Sequence, residues 1–507
     1  TNFRLAADGE SLAIFSPSSG INGTYPVDFP AQIAGTSFGY ADGRQGYFSP
    51  PTPGEPNIDR RDAIAEPVTF SHPAGFYENP FELTLDVDEN DARIRYTLDG
   101  TEPTEENGID YEGPLLIDGI AVLRTRAFSD SAVRSPTTTR SYLNIAAAIG
   151  QEEMDPDILQ EERWMSQMEA ALEQIPSLSL AIDPAYLYDR RTGLLRNSSG
   201  RGKPWERPAS LELMGTDDAG FQVDAGLRLR GGFSRGARKS SFRFFFRDEY
   251  GDPSLDYPLF GDDGASSFKK IDLRTAQNYS WSYLGDIHNN FLRDIFSRES
   301  QGEMDQPYTR GRYYHLYLNG EYSGIYQTEE RPEADYAESY FGGDADDYDV
   351  IKSSGPLDYY IEATDGTLDA YRRLWQATVE GYASNEAYYR IQGLQPDGES
   401  VDPAADRLLD AENLMDYMII TYYTGDSDGP GSKFTRPRPN NIFGIYNRES
   451  PDGFKWFEHD SEHSLDTGQE NMVFPILTEH IGFDPNNFAT FNPHWLHEAL
   501  IENTEYR

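Results

Sequence analysis

Cysteine is absent from the 507 residues of the chain, which excludes disulfides, thiolate metal sites and cysteine nucleophiles. Cations are scarce, because 43 Lys and Arg stand against 86 Asp and Glu and leave a formal net charge of −43. A charge of this sign and size repels nucleic acid and anionic membrane surfaces, and we expect neither as a partner. Long apolar runs are missing too, since none reaches the roughly 18 residues that a membrane span needs.

Aromatic residues, in contrast, are plentiful, with 33 Tyr and 28 Phe. They supply enough apolar surface for large cores, so the acidity is not a sign of disorder. A chain of this length is expected to fold as about three or four domains. Both ends look cut in mid-pattern, and the acidic composition suits salty or extracellular surroundings. We therefore expect an extracytoplasmic piece of a longer exported protein, secreted or held at the cell surface.

Two β-rich segments lead the chain. Residues 1–60 alternate short apolar and polar runs between Gly, Pro and Asn, which is typical of a small β domain. Residues 67–146 predict a second β unit, with strands that include Ala121–Phe128. In its turn sequence YTLDGTEPT, Asp99 and Glu102 are candidates for binding Ca²⁺, although such acids more commonly stabilise the turn itself.

The pattern changes to mixed helix and strand after a charged helical connector at residues 147–174. Over residues 175–507, strands such as Lys270–Arg274 come first and helices follow, which favours an α+β domain of two lobes. One of the helices is predicted at Tyr283–Ser297. A hairpin is predicted around Asn319-Gly320, because this dipeptide is typical of a type I′ turn.

An acidic stretch, Thr421–Ser464, combines the residue types of a metal site. Its polar side chains follow or precede predicted secondary structure, and they are Asp426, Asp428, Asn440, Asn441, Asp460 and Glu462. Carboxylates and amides that a hairpin-like return brings together can hold a divalent metal and aim a base beside it. Because 86 of the 507 residues are acids, a cluster that arises by chance and has no function is the alternative.

A basic window, Ala225–Arg247, holds seven cations and no acid. The cations are Arg228, Arg230, Arg235, Arg238, Lys239, Arg243 and Arg247. Its glycines let the backbone approach an anionic partner closely, and Lys239 starts the strand that follows. The window could thus bind phosphate oxygens while the acidic stretch binds a bridging metal, as phosphoryl transfer requires. The alternative, weighed equally, is that the window pairs with the protein's own acids.

Several motifs in the second half of the chain resemble those of one family. LNGEYSGIY, EERPEADY and DYDVIK, together with NNIFGIYN and HDSEHSL further on, are similar to the spore coat protein H (CotH) kinase family. The resemblance covers residues 175–507. It implies a secreted or surface atypical protein kinase that uses ATP and a divalent metal, Mg²⁺ or Mn²⁺, to phosphorylate Ser or Thr of a protein acceptor.

The N-terminal modules resemble domains that often accompany this family. YFSPPTPGEPN resembles the end of a lamin-tail domain, which implies a partial immunoglobulin-like module at residues 1–60. The YTLDGTEPT turn and the strand LRTRAF resemble the β-sandwich of chitobiase-type hexosaminidases, at residues 67–146. The expected fold is therefore multidomain, with all-β immunoglobulin-like modules followed by an α+β, two-lobed, atypical protein-kinase-like domain.

The resemblance also implies roles for members of the acidic stretch. Asp428 falls on the family's loop Asp and would be the base that orients the acceptor hydroxyl. Asn441 and Asp460 fall on its metal-binding Asn and Asp, and Glu462 falls on the second acid of the same element. Asp426, beside the base, is an extra carboxylate that should strengthen metal binding and raise the proton affinity of its neighbour.

The nucleotide-binding residues are expected among four side chains. Glu330 falls on the Glu of the family's Glu-Arg-Pro signature and would pair with a lysine that binds ATP. Lys239 is the first candidate for that lysine and Lys352 the second. Arg230, in the basic window, is a further candidate for binding ATP.

Three departures from the family pattern leave a second hypothesis open. Asp426 stands where Asn is common, His459 stands where Trp is common, and an insertion, SKFTRPRP, occupies Ser432–Pro439. We expect His459 to pack and His463 to support the metal ligands. The second hypothesis is a non-catalytic surface scaffold or adhesin, in which the β modules bind extracellular polysaccharide or matrix. A glycoside hydrolase is a third, weaker hypothesis, because a neutral sugar does not need seven cations.

Overall fold

A computed structural model gives the fold of two compact units. It describes residues 9–12, 15, 16, 20, 21, 28–89, 91–152, 154–215, 220–280, 283, 285–353, 361–432, 434, 439–465, 467 and 484–507. The first unit comprises Thr1–Leu229, Arg243–Tyr257 and Tyr313–Tyr326, and the second comprises Arg230–Phe242, Pro258–Arg312 and Gln327–Arg507. Within the described ranges, every helix is too short or too polar to cross a membrane.

The strands are numbered in chain order. Those before residue 145 are β1 (Gly9–Ser11), β2 (Phe15–Ser16), β3 (Gly20–Ile21), β4 (Asp28–Pro30), β5 (Ser37–Ala41), β6 (Arg44–Phe48), β7 (Ala63–Ile64), β8 (Thr69–Phe70), β9 (Gly75–Tyr77), β10 (Phe81–Leu83), β11 (Leu85–Asp86), β12 (Arg93–Thr97), β13 (Ile109–Asp110), β14 (Leu115–Ile117), β15 (Ala121–Phe128), β16 (Ala132–Val133) and β17 (Thr138–Asn144). Those after it are β18 (Ser177–Ala181), β19 (Arg207–Met214), β20 (Gln222–Arg230), β21 (Ser241–Phe245), β22 (Leu255–Asp256), β23 (Ser267–Phe268), β24 (Lys270–Arg274), β25 (Gly311–Leu318), β26 (Glu321–Glu329), β27 (Tyr348–Ser353), β28 (Ile361–Asp365), β29 (Phe443–Asn447) and β30 (Lys455–Phe457).

The helices begin where the N-terminal strands end. The α-helices are α1 (Ile145–Ile149), α2 (Pro156–Gln160), α3 (Glu162–Met165), α4 (Met168–Gln174), α5 (Pro184–Tyr188), α6 (Arg293–Glu303), α7 (Ala334–Phe341), α8 (Asp369–Glu380), α9 (Asn385–Arg390), α10 (Ala411–Thr424) and α11 (Pro493–Leu500). Short 3₁₀ helices lie at Lys203–Trp205, Phe233–Gly236, Ala345–Asp347, Ser461–His463 and Phe488–Thr490.

A five-stranded sheet forms the centre of the N-terminal β region, with the strand order β13-β12-β15-β17-β9. Strand β15 has the bounds that the sequence predicts and is buried on both faces. Its two arginines have polar partners inside: Arg124 donates to the carbonyl of Gly100 (3.1 Å), and Arg126 pairs with Glu102 (2.5 Å). Asp99 accepts hydrogen bonds from Thr101, so both acids of this turn stabilise it, as expected.

The connector between the β region and the rest of the chain is helical but interrupted. The sequence predicts one helical stretch, whereas the structure has α2, α3 and α4 in succession. Asp155 caps α2 by accepting from the backbone N–H of Asp157 (2.9 Å), and Pro156 occupies its first turn. Glu161, in an extended conformation, then separates α2 from α3 and ends the expected continuity.

The hairpin of β25 and β26 turns where the sequence predicts. Asn319 (φ 50°) and Gly320 (φ 87°) both have positive φ, as a type I′ turn requires. The side chain of Asn319 also binds both backbone groups of Ile182, at 2.8 Å each, so the turn is fixed to the end of β18.

Helix α6 begins ten residues after the start predicted for it. The prediction of a helix at Tyr283–Ser297 is wrong for its first part, because α6 begins at Arg293. Phe291 has a left-handed backbone (φ 52°), and the side chain of Asn290 accepts from the N–H of Leu292 (3.0 Å). A left-handed residue cannot belong to an α-helix, so these turn contacts delay its start.

A four-stranded antiparallel sheet in the second unit has the order β28-β27-β29-β30. Phe443 at the start of β29 pairs with Phe457 at the end of β30. The residues just before β29 and just after β30 therefore lie at the same end of the two strands. Helix α10 packs on this sheet, since Tyr417 and Met418 share a core with Trp456. Each large apolar side chain buried in this way contributes about 1.5–3 kcal/mol.

Candidate active site

Asp428 lies in the loop after α10, which ends at a left-handed Gly425 (φ 66°). Its carboxylate accepts from the side-chain amides of Asn440 (2.9 Å) and Asn441 (3.2 Å) and from the hydroxyl of Ser432. Burial raises the pKa of Asp428 to about 6, although these hydrogen bonds lower it. The structure thus brings the expected base and one expected metal ligand into contact.

The chain reaches this site through two hydrogen-bonded segments. The loop after α10 is bound to the segment after β30, because the N–H of Ser427 donates to the carbonyl of His463 (3.0 Å). In the other direction, the N–H of Leu465 donates to the carbonyl of Thr424 (2.9 Å). Asn441 precedes β29 and Asp460 follows β30. Because these strands are paired antiparallel, the two residues lie at the same end of the sheet.

The backbone is strained at this region. Asn441 (φ 49°) and Asp460 (φ 60°) are left-handed, as are Tyr279 (φ 53°) and Leu465 (φ 44°). Such residues cost about 1–3 kcal/mol each and persist only where the surroundings impose them. Asn and Asp tolerate the left-handed region better than other residues, and it turns their side chains out of the strand direction.

Asp460 is held by a buried arginine at the end of β24. The guanidinium of Arg274 pairs with Asp460 and Glu462 on one side and with Asp294 (3.0 Å) and Glu329 (3.2 Å) on the other. Only 2% of the Arg274 side chain is exposed, against 36% for Asp460. Burial alone would raise the pKa of Asp460. The positive charge of Arg274 and other nearby cations outweighs this effect, so the pKa of Asp460 lies well below its usual range.

A second buried arginine supports the first. Arg298 donates to Asp294 (2.8 Å) and lies 3.5 Å from Glu329, so the two arginines share both carboxylates. Arg298 also donates to the imidazole Nδ1 of His459 (3.0 Å), whose ring packs on Phe443. The expected packing role of His459 is confirmed. Burial, followed by the charge of Arg298, lowers the pKa of His459 well below its usual value.

Two further acids are buried behind Asp428. Asp426 accepts from the backbone N–H of Asp428 (2.9 Å), and burial, together with the charges of Asp428 and Asp460, raises its pKa to about 8. Burial and the nearby Asp426 also raise the pKa of Glu458 well above its usual value. Both acids therefore hold their protons more tightly than an exposed carboxyl group does.

The residues present fit a magnesium-type ion. Among the described residues, no group of three or more His, Asp or Glu is arranged to hold a metal ion. Mg²⁺, however, is commonly bound through one or two carboxylates plus substrate phosphates and water. Asp428 and Asp460 interact electrostatically, and the side-chain amide nitrogen of Asn441 donates to Asp428 (3.2 Å). Glu462 instead contacts Arg274 and the N–H of Asn278 (3.1 Å), so its carboxylate anchors the segment.

Two of the expected nucleotide residues, Glu330 and Lys352, have polar partners other than those expected. Glu330 does not have the expected lysine as its ion-pair partner: it accepts from the N–H of Arg310 (2.8 Å) and from Tyr340. Lys352 pairs with Glu362 (3.3 Å). Adjacent residues at a strand end face opposite sides, so of the two glutamates in EERP it is Glu329 that reaches the buried arginines.

The basic window serves the protein's own acids at several positions. Arg228 (2.6 Å) and Arg247 (3.2 Å) pair with Glu206 in the first unit. Arg230, in the second unit, pairs with Asp272 (3.1 Å) and Glu329 (3.3 Å). These three cations therefore pair with the protein's own acids, which was the alternative interpretation of the basic window. Binding of ATP by Arg230 would therefore have to compete with these two internal ion pairs.

Lys239 remains the first candidate for the nucleotide lysine. It is half-buried in the second unit, and its backbone carbonyl accepts from the side chain of Gln277. Burial lowers the pKa of the Lys239 ammonium to about 8. A negatively charged phosphate group would offset the free-energy cost of removing this ammonium from water.

Tyr279 and His463 lie at the border of the site. The hydroxyl of Tyr279 and the imidazole Nδ1 of His463 are 2.7 Å apart. A small pocket opens here, and its lining residues are Arg274, Ala276, Asn278, Tyr279, Asn289, Asn290, Phe291, Arg293, Asp294, Gln327 and Glu462. Of the SKFTRPRP insertion, residues 433 and 435–438 lie outside the described residues.

Sequence reasoning missed Arg274, Glu329 and Ser432. Arg274 ends a strand whose other residues predict a buried position, and a charge in such a strand must be paired. That signal was available, but the partner is 186 positions away for Asp460 and 55 for Glu329. Ser432 is only four positions from Asp428, but the sequence does not show that its hydroxyl donates to that carboxylate.

Comparison with protein families agrees with these features. The model described as CotH kinase protein matches residues 227–507, more than half of the chain, and the one described as Fn3 associated matches residues 83–142. The chain is thus a mixed α/β protein in which a CotH kinase domain follows a β-rich N-terminal region. It belongs to the CotH kinase protein family, as its motifs predict. No curated protein matches it.

Proposed function

We propose that the protein is a metal-dependent phosphotransferase that moves the γ-phosphoryl group of ATP to Ser or Thr of a protein acceptor. The observation that carries this proposal is the set of contacts at Asp428. Three side chains, those of Asn440, Asn441 and Ser432, aim one half-buried carboxylate at a fixed position. Family membership supports the class of reaction.

Asp428 is the group that orients the acceptor and accepts its proton. Its pKa of about 6 keeps the carboxylate ionised at neutral pH while leaving it more basic than an exposed Asp. Asn440 and Asn441 fix its two oxygens, so an acceptor hydroxyl meets a single orientation of the base. Asp426, directly behind it, accepts from the N–H of Asp428 and so keeps the loop in place.

Asp460 and Asn441 would hold Mg²⁺ or Mn²⁺ beside Asp428. Arg274 keeps Asp460 ionised and oriented, which is the protonation state that a metal ligand needs. When bound, the ion neutralises charge on the phosphate oxygens. Lys239, whose ammonium is partly desolvated, is the proposed partner of the ATP phosphates.

We also propose the setting of the reaction. The acidic composition and the β-rich N-terminal region fit an extracytoplasmic enzyme, secreted or at the surface, with an extracellular protein as acceptor. The immunoglobulin-like fold of the N-terminal modules, the two-lobed kinase-like fold of residues 175–507 and binding of polysaccharide or matrix belong to the same proposal.

Transfer of label from γ-labelled ATP to a mixture of Ser- and Thr-containing proteins tests the function. We expect labelling that requires Mg²⁺ or Mn²⁺ and disappears in Asp460→Asn. Asp262→Asn, a change of an exposed acid, is the matched control and should label as the wild type does. Equal labelling by the wild type and Asp460→Asn would sink the proposal.

Thermal unfolding separates the enzyme from a non-catalytic scaffold. A ligand at 100 times its dissociation constant stabilises the folded state by about 2.7 kcal/mol. ATP with Mg²⁺ or Mn²⁺ should therefore raise the unfolding temperature of the wild type and leave that of Asp460→Asn nearly unchanged. The absence of a shift in the wild type would favour the scaffold.

A further inference from the structure

The hydroxyl of Ser432 occupies the position of an acceptor at the proposed base. Ser432 is completely buried, and its Oγ donates to Asp428 while accepting from the N–H of Phe434 (3.1 Å). The same oxygen of Asp428 also accepts from Asn440, and the other oxygen accepts from Asn441. Among the described residues, Ser432 thus supplies the one side-chain hydroxyl that donates to Asp428.

A serine hydroxyl that donates to the proposed catalytic carboxylate is placed as the acceptor hydroxyl is in Ser/Thr phosphorylation. The base of such a reaction accepts a hydrogen bond from the acceptor hydroxyl before the phosphoryl group arrives. Ser427, which is equally buried in the same loop, shows the ordinary structural role, since its hydroxyl donates to the backbone carbonyl of His463 (3.1 Å). Ser432 differs from it because its partner is Asp428.

We propose that Ser432 is phosphorylated in cis by the site that contains Asp428, an inference that rests on the proposed function. Asp428 accepts the proton of the Ser432 hydroxyl, and Oγ forms a bond to the γ-phosphorus of ATP. The bond from that phosphorus to the β,γ-bridging oxygen breaks, and ADP leaves with the electron pair. The products are phosphoserine 432, ADP and the proton on Asp428.

The modification would also clear the base for other acceptors. A phosphoserine carries a charge of about −1.5 to −2 at neutral pH. At position 432 it would face Asp428, which is ionised again once it has released the accepted proton. Like charges at such distances repel, so the modified serine leaves the carboxylate that it occupies before the reaction. External acceptors then reach Asp428 more readily.

The test is site mapping on the full chain after incubation with ATP and Mg²⁺ or Mn²⁺. Peptide mass spectrometry should locate phosphate on Ser432 in the wild type and none there in Ser432→Ala. Because Ser432→Ala removes a buried hydrogen bond, Ser432→Thr is the second variant, and it should carry phosphothreonine at the same position. A purely structural hydroxyl predicts no phosphothreonine. Ser427→Thr is the matched control and should remain unmodified at 427.

Two further outcomes separate this inference from its foundation. If an added protein acceptor is labelled while Ser432 stays unmodified, the inference is overturned and the proposed function stands. If nothing is labelled, the proposed function falls with it. To test the cis route, a tagged Asp428→Asn chain is mixed with the wild type: it should stay unmodified at Ser432, and phosphate on its Ser432 would overturn transfer within one chain.

Discussion

The guanidinium of Arg274 forms an ion pair with the carboxylate of Asp460, joining the end of β24 to the segment after β30. The arginine is buried and the carboxylate is partly exposed, so Arg274 holds Asp460 from within the protein while part of Asp460 remains accessible. Glu462 accepts from the same guanidinium and from the N–H of Asn278. The position of the proposed metal ligand therefore depends on a residue outside the acidic stretch.

Replacing Arg274 should separate positioning from stability. Arg274→Ala leaves several buried carboxylates without their cation and should destabilise the second unit by about 3–5 kcal/mol. Arg274→Lys keeps the charge but lacks the planar fork that bridges carboxylates. We expect a smaller loss of stability in urea and a clear increase in the metal concentration that gives half-maximal activity.

The control for Arg274→Lys is Arg390→Lys, at an exposed position of α9. It should change neither quantity. A wild-type metal requirement in Arg274→Lys would contradict the positioning role.

The two asparagines before β29 should have different effects. Asn441 has a positive φ, so Asn441→Gly removes the amide without adding backbone strain. We expect this variant to need more Mg²⁺ or Mn²⁺ for half-maximal activity, because a ligand is lost. Asn440→Gly should lower kcat at saturating metal, because only the orientation of Asp428 is affected. Metal titrations of both variants check this, and equal metal requirements would argue against Asn441 as a ligand.

Lys239 should determine the affinity for ATP. A charged hydrogen bond to phosphate contributes about 1.5–3 kcal/mol, so Lys239→Met should raise KM for ATP about tenfold or more. Lys352→Met, which removes a lysine paired with Glu362, is the matched comparison and should have little effect. Burial lowers the pKa of Lys239 to about 8, so ATP affinity should fall as pH rises through about 8. A pH-independent affinity in this range would count against Lys239.

The first unit contains a pH-dependent element of its own. Burial raises the pKa of Glu212 to about 7, against an ordinary 4.5, although the N–H of Ser141 donates to it (2.8 Å). The folded protein holds this proton between about pH 4.5 and pH 7 and the unfolded chain releases it, so the contribution to stability falls as pH rises through this range. Glu212→Gln keeps an acceptor for Ser141 and should flatten this part of the stability profile. An unchanged slope would contradict the assignment.

Local patterns predicted much of the fold. The turn at Asn319-Gly320 and the bounds of β15 and β24 follow from neighbouring residues, and the structure confirms them. The start of α6 could not be predicted in this way, because the left-handed Phe291 is imposed by the surroundings. Its position reflects contacts that a periodic pattern of apolar residues does not encode.

The site was predictable where its members are close in sequence. Asp428 and Asn441 are 13 positions apart, and the expected return of the chain does bring them together. The choice between Glu329 and Glu330 depended on which side of a strand end faces inward, and the motif alone selected Glu330. Arg274 could not be found from spacing, because its contact with Asp460 requires the whole second unit to fold.

Single-turnover transfer from γ-labelled ATP to protein, with Mg²⁺ or Mn²⁺, tests most directly the claim that Asp428 is the base of a phosphotransferase. The account predicts labelling by the wild type and by Asp262→Asn, and a loss of the transfer rate in Asp428→Asn with ATP binding retained. A transfer rate in Asp428→Asn equal to that of the wild type would contradict it.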